Sequence, residues 1–359
     1  MRVFFLLFIP VIFFLVVELY LTARRDKNNW SFRDTFLNLS IGMFQQTFEI
    51  TVKIIIVKLY VYASDYSLFE IEESLPSFLV FFVLFDLSFY IFHRLGHEFN
   101  FIWAFHSVHH QSEHFNFSLG FRNHFLHKLI VSPYYLIFII IGFSMDFVVL
   151  GLILQTGYQY FLHTKLIKNY GVLSFVFVSP DHHRVHHSAE EIHFNKNFGG
   201  IFILWDKWFN TFVEESEPVK HFGIGGAVAP IIDPLQSNLD LMGYKRLVRK
   251  VDVYKSSVSI YQALAYVLLG LFQVFLLYNY SEQIKLPQML LLSCLMVTVL
   301  ILYYRATFLE NKTGLLFRLV IWSVSIGAII LVDYYLGRQV SVIYLVLQLL
   351  FQLSLLRKK

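Results

Sequence analysis

The chain contains 359 residues, of which 57% are hydrophobic and 18% aromatic, whereas only 15% are charged. This composition, together with a positive mean hydropathy, excludes an ordinary soluble domain and indicates a membrane protein. The formal net charge of +4 is small, and the basic residues are not interleaved as they are on a nucleic-acid-binding surface, so we expect no nucleic-acid partner.

Hydropathy predicts about nine membrane-embedded helices, each near the roughly twenty residues that cross a bilayer. The first apolar run has no small-residue cleavage site and is followed by Arg24 and Arg25, so it is interpreted as a retained transmembrane helix. The fourth and fifth runs form a hairpin that crosses the membrane twice or re-enters it. The seventh contains the only cysteine, Cys294, which excludes an internal disulfide. The runs lie within residues 3–21, 35–61, 76–92, 129–143, 147–162, 258–280, 286–304, 314–336 and 340–356.

The distribution of lysine and arginine among the loops predicts the orientation of these helices. The basic residues at 24–27 place the first loop in the cytosol, and the acidic loop 64–74 then lies outside. With nine spans, residues 93–127 and the polar region 164–255 share the cytosolic side. We therefore expect a multi-pass protein of a bacterial inner membrane or the endoplasmic reticulum, with a cytosolic polar cap.

Two histidine-rich stretches lie in this cap. Residues 93–114 hold six of the fifteen histidines, and residues 182–187 hold four more. Residues three or four apart project from one face of a helix, so the spacings H-x3-H and H-x2-HH bring their imidazoles together. A lone histidine is usually an ordinary polar residue, but the repeated spacing predicts a metal site, because neutral imidazole binds Fe, Zn, Cu or Ni. The spaced histidines are His93, His97, His106, His109, His110, His183, His186 and His187.

Eight histidines exceed the four ligands of a mononuclear zinc site, so the pattern predicts two metal ions without naming the element. Asp86 lies seven residues before His93 in an apolar run, where an acid is costly and is usually functional or paired. It could orient a ligand imidazole by accepting the free N–H of the ring. The alternative is a structural partner for Arg94 or Tyr90.

The motifs around these histidines resemble those of the fatty acid hydroxylase and sterol desaturase superfamily, which comprises membrane di-iron proteins. The pattern D-x3-Y-x2-HR-x2-H is followed by W-x2-H-x2-HHQSEHFN, and then by FRNH, QYFLHT, SPDHHRVHH, NKNFGG and LWDKWFNTF. Together these segments cover about residues 76–222. HEFN, FLHTKLIKNYG and the apolar C-terminal extension resemble the alkylglycerol monooxygenase branch in particular.

This resemblance implies an all-α, polytopic membrane fold with a histidine-rich di-metal cap on the cytosolic face. It also implies a division into N-terminal transmembrane helices (residues 1–75), a catalytic region (residues 76–256) and C-terminal transmembrane helices (residues 257–359).

The resemblance further implies roles for individual residues. The eight spaced histidines would hold two irons, and His163 matches a ninth ligand position. Glu98 matches an acid near the site in the alkylglycerol branch and, with Asp86, is a candidate catalytic residue. His114 and His182 match less regular positions and are interpreted as hydrogen-bonding groups.

The activity implied is a di-iron oxygenase that inserts an O2-derived oxygen into a C–H bond of a lipid, with the ether carbon of an alkylglycerol as one target. No GxGxxG fingerprint or haem-attachment motif is present, so a separate electron donor is expected, either tetrahydrobiopterin or another external donor. A sterol or fatty-acyl desaturase or hydroxylase on the same scaffold remains an alternative, because both reactions begin with hydrogen abstraction. A metal transporter is a remote alternative, which predicts polar ligands within successive spans.

Overall fold

The computed structural model describes residues 13–18, 20–22, 24, 31–224, 260–280, 284–304 and 315–356. Within these residues the chain is helical, with short 3-10 turns and no β-strand beyond two isolated bridges, Phe177 to Phe202 and Ser188 to Phe222. The predicted all-α class is therefore confirmed for this part of the chain. The predicted basic loops at 24–27 (apart from Arg24) and 305–312, the second half of the cap (225–255), residues 3–12 of the first span and the C-terminal basic residues lie outside the described residues.

The chain divides into two compact units, the first within Met1–Asn38 and Ile56–Pro230 and the second within Leu39–Ile55 and Ile231–Lys359. The long helix α1 (Phe32–Ser64) contributes residues to both units. The predicted division at residues 75 and 256 stays a prediction. The other helices of the first unit are α2 (Leu75–Glu98), α3 (Asn100–His110), α4 (His127–Ile141), α5 (Met145–Leu162), α6 (Pro180–His186) and α7 (Leu204–Trp208).

The boundaries of α2 follow from local sequence signals. Ser74 and Ser77 form a capping box, in which Ser77 N donates to Ser74 Oγ at 3.3 Å and Ser74 N donates to Ser77 Oγ at 3.0 Å. Pro76 lies in the first turn, where its missing N–H is harmless. Phe99 adopts an extended conformation and ends the helix, so α3 begins in a new direction one residue later. This break turns the histidines at the end of α2 towards those of α3.

The core of the first unit between α2 and α4 is aromatic. Phe85 of α2 stacks on Tyr135 of α4 at 4.8 Å between ring centroids, and Phe81 contacts Phe138 and Phe143 at 5.3 Å each. Each of these rings is buried. Full burial of such a side chain stabilises the fold by about 1.5–3 kcal/mol. The cluster therefore fixes the packing of α2 against α4, and with it the position of the histidines at the end of α2.

Within the described residues, the second unit contains four apolar helices and part of α1. Buried polar contacts join these helices. Gln273 Nε2 donates to the Tyr344 hydroxyl at 2.6 Å, and the hydroxyls of Tyr303 and Ser325 form a hydrogen bond of 2.9 Å. Such contacts are typical of helix packing in apolar surroundings, where the hydrophobic effect gives little drive for association. The four helices are α8 (Ile260–Tyr280), α9 (Leu286–Tyr304), α10 (Leu315–Leu336) and α11 (Arg338–Leu356).

Two helices of the described chain are long and apolar enough to cross a membrane, Leu75–Glu98 and Leu286–Tyr303. Each of the nine predicted spans falls on helical residues wherever the structure describes it, except that the fourth helix ends at Ile141, two residues before the predicted end of its span. By the same measure, several other helices contain shorter apolar stretches, including His127–Ile141, Tyr266–Leu277, Ser323–Leu336 and Val340–Leu349. The helical prediction is therefore confirmed where it can be compared, and the count of nine crossings stays a prediction.

Candidate metal centre

The nine histidines predicted as ligands come together in two groups. In each group every histidine offers one ring nitrogen, and these nitrogens lie within 4.8 Å of one another, a spacing that suits a single metal ion. Group A consists of His93, His97, His106, His110 and His186. Group B consists of His109, His163, His183 and His187.

Helix geometry explains how neighbours in sequence serve different groups. His109 and His110 are adjacent on α3, so their side chains diverge by about 100° around the helix axis, and His110 joins group A while His109 joins group B. His186 and His187 at the end of α6 are divided in the same way. The two groups therefore lie directly against each other, and the rings of His110 and His187 stack at 4.2 Å between centroids.

Within each group, the ring nitrogens are as close to one another as nitrogens that bind the same metal ion. In group A, His106 Nε2 lies 3.0 Å from His93 Nε2 and 3.1 Å from His110 Nε2. In group B, His163 Nε2 lies 3.1 Å from His109 Nε2 and 3.0 Å from His183 Nε2. Two nitrogens bound at about 2.1 Å and at right angles to one metal ion are about 3 Å apart, so this spacing fits imidazoles arranged around a shared ion.

Backbone carbonyls determine which ring nitrogen is available for a metal. A carbonyl can only accept, so the Nδ1 that contacts it carries the proton and Nε2 keeps its lone pair. The Nδ1 atoms of four histidines donate in this way. The pairs are His93 with Phe198 O at 2.8 Å, His109 with Arg122 O at 2.9 Å, His163 with Gln159 O at 2.9 Å and His186 with Lys196 O at 3.0 Å.

The donor set fits a metal on two further observations. Nε2 of His97 and Nε2 of His186 are buried and have no hydrogen-bond partner within the protein, which is costly for a polar atom unless something else binds it. Burial also lowers the pKa of His109 to about 4 and lowers the pKa of His110 and His186 well below the usual 6.5. These imidazoles are therefore neutral at physiological pH, as metal ligands must be.

Aromatic side chains enclose both groups and limit the access of water. The Phe198 ring lies 5.2 Å from the His97 ring and 5.9 Å from the His186 ring, so it covers group A. The Phe115 ring stacks on His163 of group B at 5.7 Å. Buried aromatic rings therefore border both histidine groups.

Asp86 contacts a peptide segment instead of an imidazole. Its carboxylate accepts from Ile201 N at 2.7 Å, Phe202 N at 3.0 Å and Trp205 Nε1 at 2.8 Å. The predicted hydrogen bond from a ligand imidazole to Asp86 is absent among the described residues, because the Nδ1 of His93 donates to Phe198 O. Asp86 contacts the histidines only indirectly, because it holds the peptide segment that begins at Phe198, and the Phe198 carbonyl accepts from His93.

The predicted alternative partners of Asp86 are engaged elsewhere. Arg94 Nε donates to Glu98 Oε1 at 2.7 Å, and the Tyr90 hydroxyl lies 2.9 Å from Thr211 Oγ1. Both side chains of the Arg94–Glu98 pair are about one-third exposed. Glu98 therefore lies at the end of α2 beside the site but outside both histidine groups, and its catalytic role stays a prediction.

Two histidines interpreted as hydrogen-bonding groups lie outside the two ligand groups. His182 Nδ1 lies 3.3 Å from Ser179 Oγ, at the start of α6. The backbone N–H of His114 donates to Ser112 Oγ at 3.3 Å.

Asp206 supports the same segment from its other side and was missed by the sequence analysis. Its carboxylate accepts from Phe198 N at 2.8 Å, Gly199 N at 2.7 Å and Thr211 Oγ1 at 2.7 Å. Burial raises its pKa to about 6, although these three donors oppose the increase. A buried acid within the motif LWDKWFNTF was the signal that could have identified it.

Two buried arginines lie inside the histidine motifs and were also missed. Arg184 donates to the carbonyls of Thr164, Ile167 and Lys168 at 3.0 Å each and pairs with Glu215 at 2.7 Å. It thereby ties α6 to the segment that follows the ligand His163. Arg122, whose carbonyl orients His109, donates through its own side chain to Val108 O, Asn38 Oδ1 and Gln111 Oε1.

Glu18 is a fourth missed residue, and it belongs to the first predicted span. Its carboxylate is buried and accepts from Phe117 N at 2.6 Å and from Thr164 Oγ1 at 2.6 Å. Thr164 follows His163 directly, so the N-terminal helix is connected to group B by one side chain. An acid in an otherwise apolar run was the available signal.

The fold and the site define a helical protein with two adjoining, buried, all-histidine groups suited to metal ions. Residues 78–211 match the family model for the fatty acid hydroxylases. The predicted superfamily is therefore confirmed.

Curated relatives support the alkylglycerol monooxygenase branch. The chain is 32% identical over 211 residues to alkylglycerol monooxygenase of Xenopus tropicalis, which covers 58% of this chain and 47% of the relative. The alkylglycerol monooxygenase of Caenorhabditis elegans is 32% identical over 217 residues, covering 58% and 41%. Ornithine lipid hydroxylase of Rhizobium tropici is 29% identical over 181 residues, covering 47% and 52%. The chain thus spans about half the length of these relatives, and no solved structure matches it.

Proposed function

We propose that the protein is a membrane-embedded lipid oxygenase, which inserts an O2-derived oxygen atom into a C–H bond of a lipid at a pair of irons. The observation that carries the proposal is the division of nine histidines into two adjoining groups, within a region that matches the fatty acid hydroxylase family model. All nine histidines are assigned as ligands, five to one ion and four to the other. The membrane setting is supported by two candidate spans, one of which, α2, carries His93 and His97.

The choice of metal follows from the donors and the reaction class. Imidazole nitrogen suits iron, zinc, copper and nickel, whereas attack on an unactivated C–H bond requires a redox metal, which excludes zinc. The matched relatives are named as a monooxygenase and a hydroxylase, in agreement with oxidative chemistry. When bound, the iron pair supplies the O2 chemistry and the electron transfer that no side chain can supply.

The residues of the chain position the ligands and exclude water. Carbonyls of Phe198, Arg122, Gln159 and Lys196 hold Nδ1–H of four ligands, which keeps each Nε2 aimed inward. Buried rings such as Phe115 and Phe198 give the site apolar walls. Such walls suit a lipid chain and protect a reactive centre from water.

An alkylglycerol is the first substrate to test, because the relatives of highest similarity quoted above carry that name. Ornithine lipid is the second, on the similarity to the Rhizobium tropici hydroxylase. A separate electron donor completes the reaction, with tetrahydrobiopterin as the first donor to supply. Transport of metal ions is disfavoured, because the histidines form two closed groups instead of a path through successive helices.

The direct test is metal analysis followed by turnover. Protein reconstituted anaerobically with iron should contain two ions per chain, and addition of lipid, donor and ¹⁸O2 should give a product with one ¹⁸O atom, detected by mass spectrometry. Loss of two hydrogens without oxygen incorporation would reveal a desaturase. One ion or none after full reconstitution would contradict the paired site.

A further inference from the structure

A patch of exposed apolar side chains lies beside the metal centre and has no role in the site described above. It is formed by the 3-10 turn Gly171–Phe175 with its following residue and by the end of α7. Val172 is 82% exposed, Phe175 69% and Trp208 68%. We call this set the 172/208 patch, and its members are Val172, Leu173, Phe175, Val176, Trp208 and Phe209.

The 172/208 patch is one surface held firmly to α2. Lys207 Nζ donates to Phe175 O at 2.8 Å and lies over the Phe175 ring, so the turn and α7 are joined. Trp208 contacts Trp205 edge to face at 5.2 Å between centroids. Trp205 in turn donates to Asp86 in the middle of α2, and Phe209 stacks on Tyr90 of α2 at 5.3 Å. The exposed apolar residues are therefore fixed in position.

The position of these contacts along α2 indicates what covers the patch. The 198–209 segment, which carries Trp208 and Phe209 of the patch, touches α2 from Phe82, which contacts Phe202 at 6.4 Å between centroids, to Tyr90. These are the eighth and sixteenth of its 24 residues. At 1.5 Å per residue α2 is about 36 Å long, against about 30 Å for the hydrocarbon core of a bilayer. If α2 spans the membrane, as the proposed function requires, its middle third and everything packed on it lie at bilayer depth.

The bare part of the same face of α2 continues the apolar surface. Leu79 and Val83 precede Asp86 by seven and three residues, so they lie on the same face of α2 as Asp86. The 198–209 segment covers this face further towards the C-terminal end of the helix. Leu79 and Val83 are exposed, at 54% and 44%. Apolar side chains thus run from uncovered α2 onto the patch, and the basic Lys207 and the indole of Trp208 are residue types typical of the membrane interface.

We propose that the 172/208 patch is inserted into the same lipid leaflet as the histidine-bearing half of α2 and forms the side of the metal centre that faces lipid. The occupant is the acyl-chain region of the bilayer. A docked protein is less consistent with this geometry, because the patch is held to a candidate span through Trp205 and Phe209. Contiguous apolar area of this kind is rarely left to water.

The test uses the full chain in proteoliposomes with a fluorescent label on one cysteine at a time, in a Cys294→Ser background. Val172→Cys reports the patch, Val83→Cys the bare face of α2, and Ser216→Cys an exposed polar site in the same unit. Lipids with brominated acyl chains should quench the label at 172 and at 83 to a similar extent and leave the label at 216 bright.

The outcomes separate this proposal from the proposed function. Quenching at 83 without quenching at 172 overturns the inserted patch, leaves the membrane setting of α2 intact and makes a protein partner the better occupant. Absence of quenching at both positions contradicts the membrane setting itself, and the patch proposal fails with it. Neither reading depends on iron or on turnover.

A kinetic experiment tests the consequence for substrate access. Val172→Asp combined with Phe175→Asp should raise KM for a long-chain lipid embedded in vesicles, with kcat and the iron content retained. Turnover of a short-chain, water-soluble analogue should remain unchanged. Val172→Leu with Phe175→Leu is the matched control and should retain the original KM. An unchanged KM in the aspartate variant would contradict insertion of the patch.

Discussion

Backbone carbonyls determine the orientation of the ligand imidazoles at four positions of the metal centre. His186 is one example, because its Nδ1 donates to Lys196 O at 3.0 Å and its buried Nε2 is left without a partner in the protein. A bound ion would supply the interaction that this atom lacks within the protein. The ligand histidines should therefore matter for metal binding more than for folding.

Replacement of His186 or His109 by alanine should abolish turnover and lower iron content, while the protein is still inserted and retained in membranes. The fold depends mainly on its aromatic core and apolar helices, so the chemistry should fail first. Iron analysis, product formation and membrane-fraction yield measure the three effects. His221→Ala, at an exposed position, is the control. Parallel loss of yield and activity would instead show that the metal is structural.

The buried pair Arg184–Glu215 gives a second prediction at single residues. Arg184→Met leaves the Glu215 carboxylate without its guanidinium partner and frees three carbonyls near His163, so it should destabilise the first unit by about 3–5 kcal/mol. Denaturant unfolding followed by intrinsic fluorescence measures this change. Lys220→Met removes an exposed positive charge nearby in sequence and should change stability little. Equal effects of the two substitutions would contradict the role given to Arg184.

At the scale of elements, the peptide segment between residues 198 and 206 connects α2, α7 and the metal ligands. Asp86 and Asp206 hold its N–H groups from two sides, and its Phe198 carbonyl orients His93. A Cβ atom at Gly200 would lie 2.6 Å from Asp86 Oδ1 and closer still to Gln155 Nε2. Only glycine fits this close approach.

Gly200→Ala should therefore move the segment, release the Phe198 carbonyl from His93 and weaken metal binding in group A more than in group B. The expected cost in stability is about 1–3 kcal/mol, typical of overpacking. Iron stoichiometry should fall towards one ion per chain. Gly157→Ala on α5 is a matched control, since its Cβ would meet nothing within 4 Å. If the two variants bind iron equally well, the segment has no part in holding group A.

At the scale of the whole molecule, metal and fold should be coupled. The ligands come from α2, α3, the end of α5 and α6, so a bound ion joins elements far apart in sequence. An ion that binds the folded state but not the unfolded state stabilises the protein, by about 2.7 kcal/mol at a free concentration one hundred times the dissociation constant. Removal of iron by a chelator should accordingly lower the melting temperature of the wild-type protein. His186→Ala should show a smaller decrease, and an equal decrease would show that the chelator acts elsewhere.

The predicted topology requires both histidine stretches on the cytosolic side, which single-cysteine labelling can establish. Suitable labelling sites are the exposed positions Glu113 and Glu191, one in or beside each histidine stretch. In a Cys294→Ser background, both cysteines should react with an impermeant reagent added from the cytosolic side only. Reaction of one from each side would be incompatible with groups that share histidines from both stretches.

The sequence by itself determined the helices, the histidines and the family. Apolar runs predicted the helical segments, because burial of apolar surface dominates their stability. The i, i+3 and i, i+4 spacing predicted which imidazoles converge, because this pattern depends on local helix geometry alone. His163 came from the resemblance and not from spacing, since it stands alone in the chain.

Only the tertiary structure decided how the nine histidines divide between two groups and what holds them. His109 and His110 are neighbours in sequence yet serve different groups, because a helix turns them apart and the matching histidines come from α2, α5 and α6. The partners of Asp86 lie more than 65 residues away in the chain, and their contacts depend on packing that no local pattern encodes. Local periodicity fixes which face of a helix a residue occupies, whereas long-range packing selects the partner that the face meets.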